Sequence, residues 1–189
     1  MMRLALPPQR APIITRNSID ISMASDHPGI DAIVEAIRKK NDCVVRPPAG
    51  LPNPRADHQV PGDLLHFYNR CGGCSLWSSA PYSVEIVAPG GIARSNPEII
   101  GEEAPDDITD SWYIIGRSGS GEAISIDLAP SRLGKCYDSF WDRHGVPGSC
   151  TVIARSFTEL LRHLLDARGE HWYWLRPDFT PLGDAYEEQ

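Results

Sequence analysis

Two apolar segments joined by a glycine-rich stretch constrain the fold most strongly. SWYII (111–115) and AISIDLA (123–129) both have the composition of buried strands, and only GRSGSGE (116–122) separates them. Strands joined by so short a connection pair antiparallel. The sequence therefore predicts a β-hairpin within an antiparallel sheet.

The same glycines also suggest a phosphate-binding loop. Their spacing in 116–121 is G-x-x-G-x-G rather than G-x-G-x-x-G, and they join two strands. A phosphate loop must open a helix, because the helix supplies the aimed N–H groups and the dipole that hold the anion. A turn between strands is the better interpretation.

Hydrophobic periodicity predicts a first helix in DHPGIDAIVEAIRKKN (26–41). Ser25 or Asp26 can cap this helix, and Pro28 suits its first turn. Four apolar residues at i, i+3, i+4 and i+7 share one face of it: Ile30, Ile33, Val34 and Ile37.

A second helix is predicted in PGDLLHFYNRCGG (61–73). Pro61 opens it, and Gly72 occupies the position where a left-handed residue often ends a helix. The same spacing recurs on its apolar face: Leu64, Phe67, Tyr68 and Cys71.

The segment TVIARSFTELLRHLLDARG (151–169) predicts a short strand followed by a third helix. Ser156 and Glu159 form an S-x-x-E capping box at the start of that helix, and Gly169 ends it. Further strands are predicted in YSVEIV (82–87) and GKCYDSFW (134–141), before a last aromatic segment, EHWYWL (170–175).

This order of elements predicts an α+β fold with a mainly antiparallel sheet. The proline-rich stretch 46–59 is incompatible with a helix or a central strand and is predicted to be a linker. We expect an N-terminal arm in 1–25, a single domain in 26–175 and an acidic C-terminal tail in 176–189.

Cys71 and Cys74 form a C-x-x-C pattern around two glycines. A redox dithiol places its reactive thiol at a helix N-terminus, whereas here the predicted helix ends at the cysteines. A zinc site would need two more ligands, drawn from Cys136, His144 and Cys150, and no second motif supplies them. The favoured interpretation is structural, with a modest cost for Cys71→Ala and little for Cys74→Ser.

The charge and the absence of an apolar span limit the partners. A formal net charge of −7 argues against nucleic acid as a ligand, because phosphate binding needs clustered Lys and Arg. No apolar run is long enough to predict a membrane span, and the interrupted N-terminal segment does not resemble a secretory signal. We therefore expect a soluble cytoplasmic protein without a cofactor or metal.

One acidic segment is a candidate binding site for a basic protein partner. EEAPDDITD (102–110) concentrates carboxylates without an intervening Lys or Arg. A solvated loop is the simpler interpretation, and an acidic docking surface is the sharper one. The five candidate residues are Glu102, Glu103, Asp106, Asp107 and Asp110.

Four stretches in order resemble the SUKH superfamily, which includes the fungal cell-wall-assembly regulator and many bacterial relatives. They are LPNPRADHQVPGDLLHFYNRCGG (51–73), SWYIIGRSGSGEAISIDLA (111–129), GKCY (134–137) and VIARSFTELLRHLL (152–165). The ordered matches run from Pro61 to Leu165. The chain departs from the pattern at Cys71, where an Asn usually precedes the paired glycines.

The resemblance implies an α+β fold with helices packed against a mixed sheet, and it implies no catalytic residue. Bacterial members are immunity proteins that bind and neutralise a toxin, often a nuclease, whereas fungal members are signalling and scaffold proteins. We therefore expect a non-enzymatic protein-binding domain, most plausibly an immunity protein. The alternative is a thiol- or zinc-dependent enzyme that uses Cys71, Cys74 and a histidine. The matched positions are those of fold-bearing residues: Pro61, Gly72, Gly73, Trp112, Asp127, Gly134, Ser156 and Phe157.

Overall fold

The structure, a computed structural model, describes residues 28–187. The N-terminal arm and the two candidate caps, Ser25 and Asp26, lie outside the described residues. The α-helices that it contains are α1 (Pro28–Arg38), α2 (Gly62–Arg70), α3 (Ser95–Ile99) and α4 (Phe157–Ala167). Within the described range, none of them is both long and apolar enough to span a membrane.

The described part of the chain forms one seven-stranded sheet with the spatial order β1 to β7. Every strand pairs antiparallel with the next strand along the chain. The α+β prediction is therefore confirmed. The strands are β1 (Val44–Val45), β2 (Cys74–Leu76), β3 (Val84–Ile86), β4 (Trp112–Ser118), β5 (Ala123–Asp127), β6 (Cys136–Ser139) and β7 (Val152–Ala154).

The predicted hairpin is the pair β4–β5. Its register runs from Trp112 opposite Asp127 to Arg117 opposite Ala123, with an irregularity between Ile114 and Gly116. The glycine-rich stretch closes this hairpin and does not open a helix. Its geometry is therefore that of a strand-to-strand turn, as predicted.

Hydrophobic cores lie on both faces of the sheet. The larger core joins α1, α2 and α4 to one face, to which β4 contributes Tyr113 and Ile115. A smaller cluster around Trp112 and Tyr137 covers the other face, with their rings stacked at a centroid distance of 4.0 Å. The residues of GKCYDSFW (134–141) predict a strand that alternates between buried and exposed positions, but β6 is buried at every position because both faces of the sheet are covered.

The paired glycines allow two parts of the backbone to approach closely. A Cβ at Gly72 would lie 2.2 Å from the carbonyl oxygen of Pro47, and one at Gly73 would lie 2.6 Å from that of Ile86. Gly73 has a φ of +100°, and Gly72 does not have a positive φ. The prediction of a left-handed Gly72 is therefore wrong by one residue, because Cys71 leaves the helix in an extended conformation.

The Ser156 cap of α4 is confirmed, whereas the return hydrogen bond of the predicted capping box goes to the residue before Ser156. The Ser156 hydroxyl accepts a hydrogen bond from the Glu159 backbone N–H at 3.1 Å. The Glu159 carboxylate reaches back to the Arg155 backbone N–H, at 2.6 Å. After the helix, Arg168 and Gly169 both have positive φ, so the chain turns away at the predicted end.

The segment 182–186 packs against the sheet. Asp184 forms a bridge with Thr151, and Ala185 is buried in the cluster around Trp112. The segment 170–175 contains a short 3-10 helix, Tyr173–Leu175. The division into arm, domain and tail stays a prediction.

Candidate partner-binding surface

The acidic segment comprises the loop after α3 and the start of a short 3-10 helix, Ile108–Ser111, which leads into β4. The side chains of Glu102, Glu103 and Asp106 are exposed, whereas Asp107 and Asp110 are partly buried. The structure thus places four of the predicted residues on the loop and Asp110 in the 3-10 helix, in two different environments.

Asp107 has a structural role. Its carboxylate caps the 3-10 helix by accepting hydrogen bonds from the backbone N–H and the hydroxyl of Thr109, at 2.9 and 2.7 Å. It also accepts one from the Tyr186 hydroxyl at 2.8 Å. Burial alone would raise the pKa of Asp107, but these hydrogen bonds outweigh burial and lower the pKa. Asp107 is therefore committed to holding the loop and the C-terminal segment together.

Two arginines that are distant in sequence compensate part of the acidic charge. Arg94 pairs with both Asp110 and Glu103, and Arg55 contacts Asp110 at 2.9 Å. The segment itself contains no Lys or Arg. The two arginines come from the linker and from the residue before α3, so they reach the segment only because the chain folds. Glu102 and Asp106 remain exposed as the outer carboxylates.

An exposed tryptophan lies beside α3, the helix that precedes the acidic segment. Trp141 follows β6, and 74% of its surface is accessible to solvent. The sequence reasoning had placed it in a strand, and no local signal distinguished it from the buried Phe140. It forms one wall of a shallow depression of about 120 Å³. Other residues that line the depression are Glu98, Ile99, Arg117, Glu122 and Ser139.

The aromatic segment 170–175 is an alternative candidate for contact with a partner, but it contributes mainly to the core. The Tyr173 hydroxyl donates to the Ile153 carbonyl at 2.8 Å, and the Trp174 indole N–H donates to Asp138 at 3.0 Å. Both rings are buried. This segment therefore presents little aromatic surface to a partner beyond the partly buried Trp172, and its exposed apolar side chain is Leu175.

The five cysteines are free and buried. Burial raises the pKa of Cys71 and of Cys74, which disfavours the reactive thiolate form. Among the described residues, no three or more His, Cys, Asp and Glu side chains are arranged to hold a metal ion. The geometry lends no support to a thiol or zinc enzyme that uses Cys71, Cys74 and a histidine.

Comparisons with known proteins identify the family of the chain. The chain is 47% identical over 158 residues to "Immunity protein YokJ" of Bacillus subtilis (strain 168), covering 84% of this chain and 96% of that protein. No solved structure matches the chain significantly. The profile of the SMI1 / KNR4 family (SUKH-1) matches residues 55–163. With more than half of its length matched to that profile and this degree of identity to a relative, the chain belongs to the SMI1 / KNR4 family (SUKH-1).

Proposed function

We propose that this chain is a bacterial immunity protein, which binds a cognate toxin and neutralises it without catalysing a reaction. The observation that carries the proposal is the 47% identity to an immunity protein over 96% of that protein's length. The match covers nearly the whole relative and is not confined to one motif. It therefore supports a shared mode of action and not only a shared fold.

The charge of the chain supports a toxin with a basic substrate-binding face. A nuclease must hold phosphates with Lys and Arg, and an acidic protein can occupy the same surface. The formal net charge of −7 and the exposed carboxylates of Glu102 and Asp106 provide the complementary charge. In this proposal, the acidic segment 102–110 forms part of the docking surface, and the complex assembles in the cytoplasm.

The raised pKa values of the buried thiols also favour a binding protein over a thiol enzyme. A nucleophilic cysteine needs a lowered pKa and access to its substrate. Cys71 and Cys74 are fully buried. Neutralisation by occupying the toxin's active surface requires no reactive group on this chain.

Co-expression tests the proposal. Candidate toxin domains, taken first from the reading frames next to the gene for this chain, are expressed in a sensitive bacterium, with and without the chain. We expect growth to stop with the toxin domain alone and to continue with both, and the purified pair to form a stoichiometric complex. Growth arrest in the presence of the chain, with no complex formed, would refute the proposal.

A further inference from the structure

We infer that Trp141 is the apolar anchor of the toxin-docking surface, inserted into a pocket on a basic face of the toxin domain. This inference rests on the proposed function and names the site through which it acts. The proposed anchor surface comprises Trp141, Ile100 and Val146, together with the depression beside Trp141. The partner is a protein domain whose positive charge surrounds an apolar pocket.

The end of α3 and the turn after β6 both carry exposed apolar side chains. Within the described residues, seven large hydrophobic side chains are exposed, and Ile100, Trp141 and Val146 are three of them. Trp141 is the most exposed of the seven, at 74%. A folded chain gains nothing from leaving an indole in water, and tryptophan is among the residues most enriched at the energetic centres of protein interfaces.

One buried hydrogen bond joins the two segments that carry these three residues. His144 Nε2 lies 2.7 Å from the Asn96 side-chain oxygen, which joins the turn after β6 to α3. Ile100 lies four residues after Asn96, Trp141 three before His144, and Val146 two after it. The contact therefore holds together two segments that are distant in sequence and that each carry exposed apolar residues.

The indole is held away from the protein's own surface. The Trp141 backbone N–H donates to the Glu122 carboxylate at 3.2 Å, and the backbone N–H groups of Arg143 and His144 donate to the Phe140 carbonyl at 2.8 and 2.9 Å. The turn is thus anchored on both sides of the exposed ring. A side chain presented on an ordered turn loses little conformational entropy on binding, which favours its use as an anchor.

The charge around this surface determines the kind of partner. Glu98 and Glu122 line the depression, Asp142 follows Trp141, and the acidic segment begins two residues after Ile100. The one cation in the depression, Arg117, is paired with Glu98 at 2.9 Å. An apolar centre with an acidic rim is complementary to a basic face and repels acidic proteins, a second copy of this chain included.

Binding of the purified toxin domain that the chain neutralises tests the inference. We expect Trp141→Ala to raise the Kd about 30-fold or more, because a truncated central anchor is rarely compensated. Trp141→Phe should raise it less, since an aromatic ring remains. Val44→Ala is the matched control, because Val44 is 56% exposed on β1 at the opposite edge of the sheet. Its Kd should equal that of the unmodified chain.

Fluorine NMR adds a readout that a purely structural role would not change. The chain has five tryptophans, so 5-fluorotryptophan labelling gives five signals, and Trp141→Phe identifies the signal of Trp141. We expect that signal to shift and lose its solvent exposure when the toxin domain is added.

The outcomes separate the inference from the proposed function. If the chain neutralises the toxin and Trp141→Ala binds as tightly as the unmodified chain, the inference is wrong and the proposed function stands. If sedimentation shows a dimer of the free chain that Trp141→Ala abolishes, the anchor binds a second copy, and the inference is also wrong. If no toxin domain is neutralised, both fail.

Discussion

The indole N–H of Trp112 donates to the buried carboxylate of Asp127 at 3.1 Å, across the first residue pair of the β4–β5 hairpin. The same carboxylate accepts from the Ser111 hydroxyl and from Arg132 Nε, both at 2.7 Å. Asp127 is fully buried, whereas the Arg132 side chain is 25% exposed. The resemblance to the family had marked Trp112 and Asp127 as fold-bearing residues, and the structure shows that they act as a pair.

Removing the cation of this network should destabilise the fold strongly. Arg132→Ala leaves a buried carboxylate without its counter-charge, so we expect a loss of roughly 2–3 kcal/mol in the free energy of unfolding. Urea denaturation measures it. The control is Arg117→Ala, which breaks the exposed pair with Glu98 and should cost under about 1 kcal/mol. Equal losses for the two variants would contradict the role assigned to Asp127.

Two side chains, those of Ser156 and Asp63, cap the N-terminus of α4. The Asp63 carboxylate accepts from the backbone N–H and the hydroxyl of Thr158, at 2.8 and 2.9 Å, and it also lies in the first turn of α2. We expect Ser156→Ala to cost about 1 kcal/mol and Asp63→Ala about 2 kcal/mol, because the latter also unties α2 from α4.

A double-mutant cycle tests whether the two caps are coupled. If both act on the same helix terminus, the double variant should differ from the sum of the single losses by more than about 0.5 kcal/mol. Melting temperatures of the four proteins at one pH provide the comparison. An unchanged melting temperature for Asp63→Ala would show that the contact with Thr158 contributes nothing.

Sequence reasoning succeeded where the determining contacts are local. The hairpin and the Ser156 cap depend on residues that are close in sequence, and both were predicted. The contacts of Asp63 with Thr158 and of Asp110 with Arg94 and Arg55 join segments that are distant in sequence, so hydrophobic periodicity cannot predict them.

The exposure of Trp141 could not be predicted from the sequence either. The residues around it favour a strand whether the ring faces water or a core. Strand β2 was not predicted, because it is only three residues long and directly follows the paired glycines.

The burial of Cys74 revises the expectation that replacing it with serine costs little. Cys74 is fully buried in β2 against the main core. Serine would bring a hydroxyl into an apolar site, at a cost of roughly 1–3 kcal/mol, whereas alanine removes one atom and should cost about 1 kcal/mol. Chemical denaturation of Cys74→Ser and Cys74→Ala measures the difference. A serine variant as stable as the alanine variant would indicate that the hydroxyl finds a partner.

His144 should make the fold sensitive to mild acid. Burial lowers its pKa to about 4, despite the opposing influence of Asp107, whereas an unfolded histidine titrates near ~6.5. Between these values the unfolded chain binds a proton that the folded chain excludes, so stability is lost as the pH falls through this range. We expect a loss of about 2 kcal/mol between pH 7 and pH 5.

The histidine's share of this loss can be isolated with His144→Gln. The variant should be less stable at neutral pH, because the contact with Asn96 is altered, but its free energy of unfolding should change less between pH 7 and pH 5. The carboxylates and the other histidines are present in both proteins, so the comparison cancels their contribution. If the free energy of unfolding changes equally with pH in the two proteins, His144 is not the group responsible.

The acidic segment should act mainly on the rate at which the toxin domain associates. Reversing Glu102 and Asp106 to Lys changes its two outer carboxylates and spares Asp107, which caps a helix, and Glu103, which pairs with Arg94. Because charges at the rim of an interface attract the partner before contact, we expect the association rate constant to fall about 10-fold at low salt and to depend less on salt. The melting temperature should barely change, since exposed charges contribute little to stability.

A matched variant separates local steering from the effect of total charge. Glu35→Lys with Glu170→Lys changes the net charge equally, at exposed positions on α1 and just after α4. Stopped-flow measurements at low and moderate salt should show that this variant lowers the association rate constant less than the reversal at Glu102 and Asp106 does. Because steering weakens beyond the Debye length of about 10 Å at 0.1 M salt, the difference should be clearest at moderate salt. Equal decreases for both double variants would remove the acidic segment from the docking surface and leave only the overall negative charge.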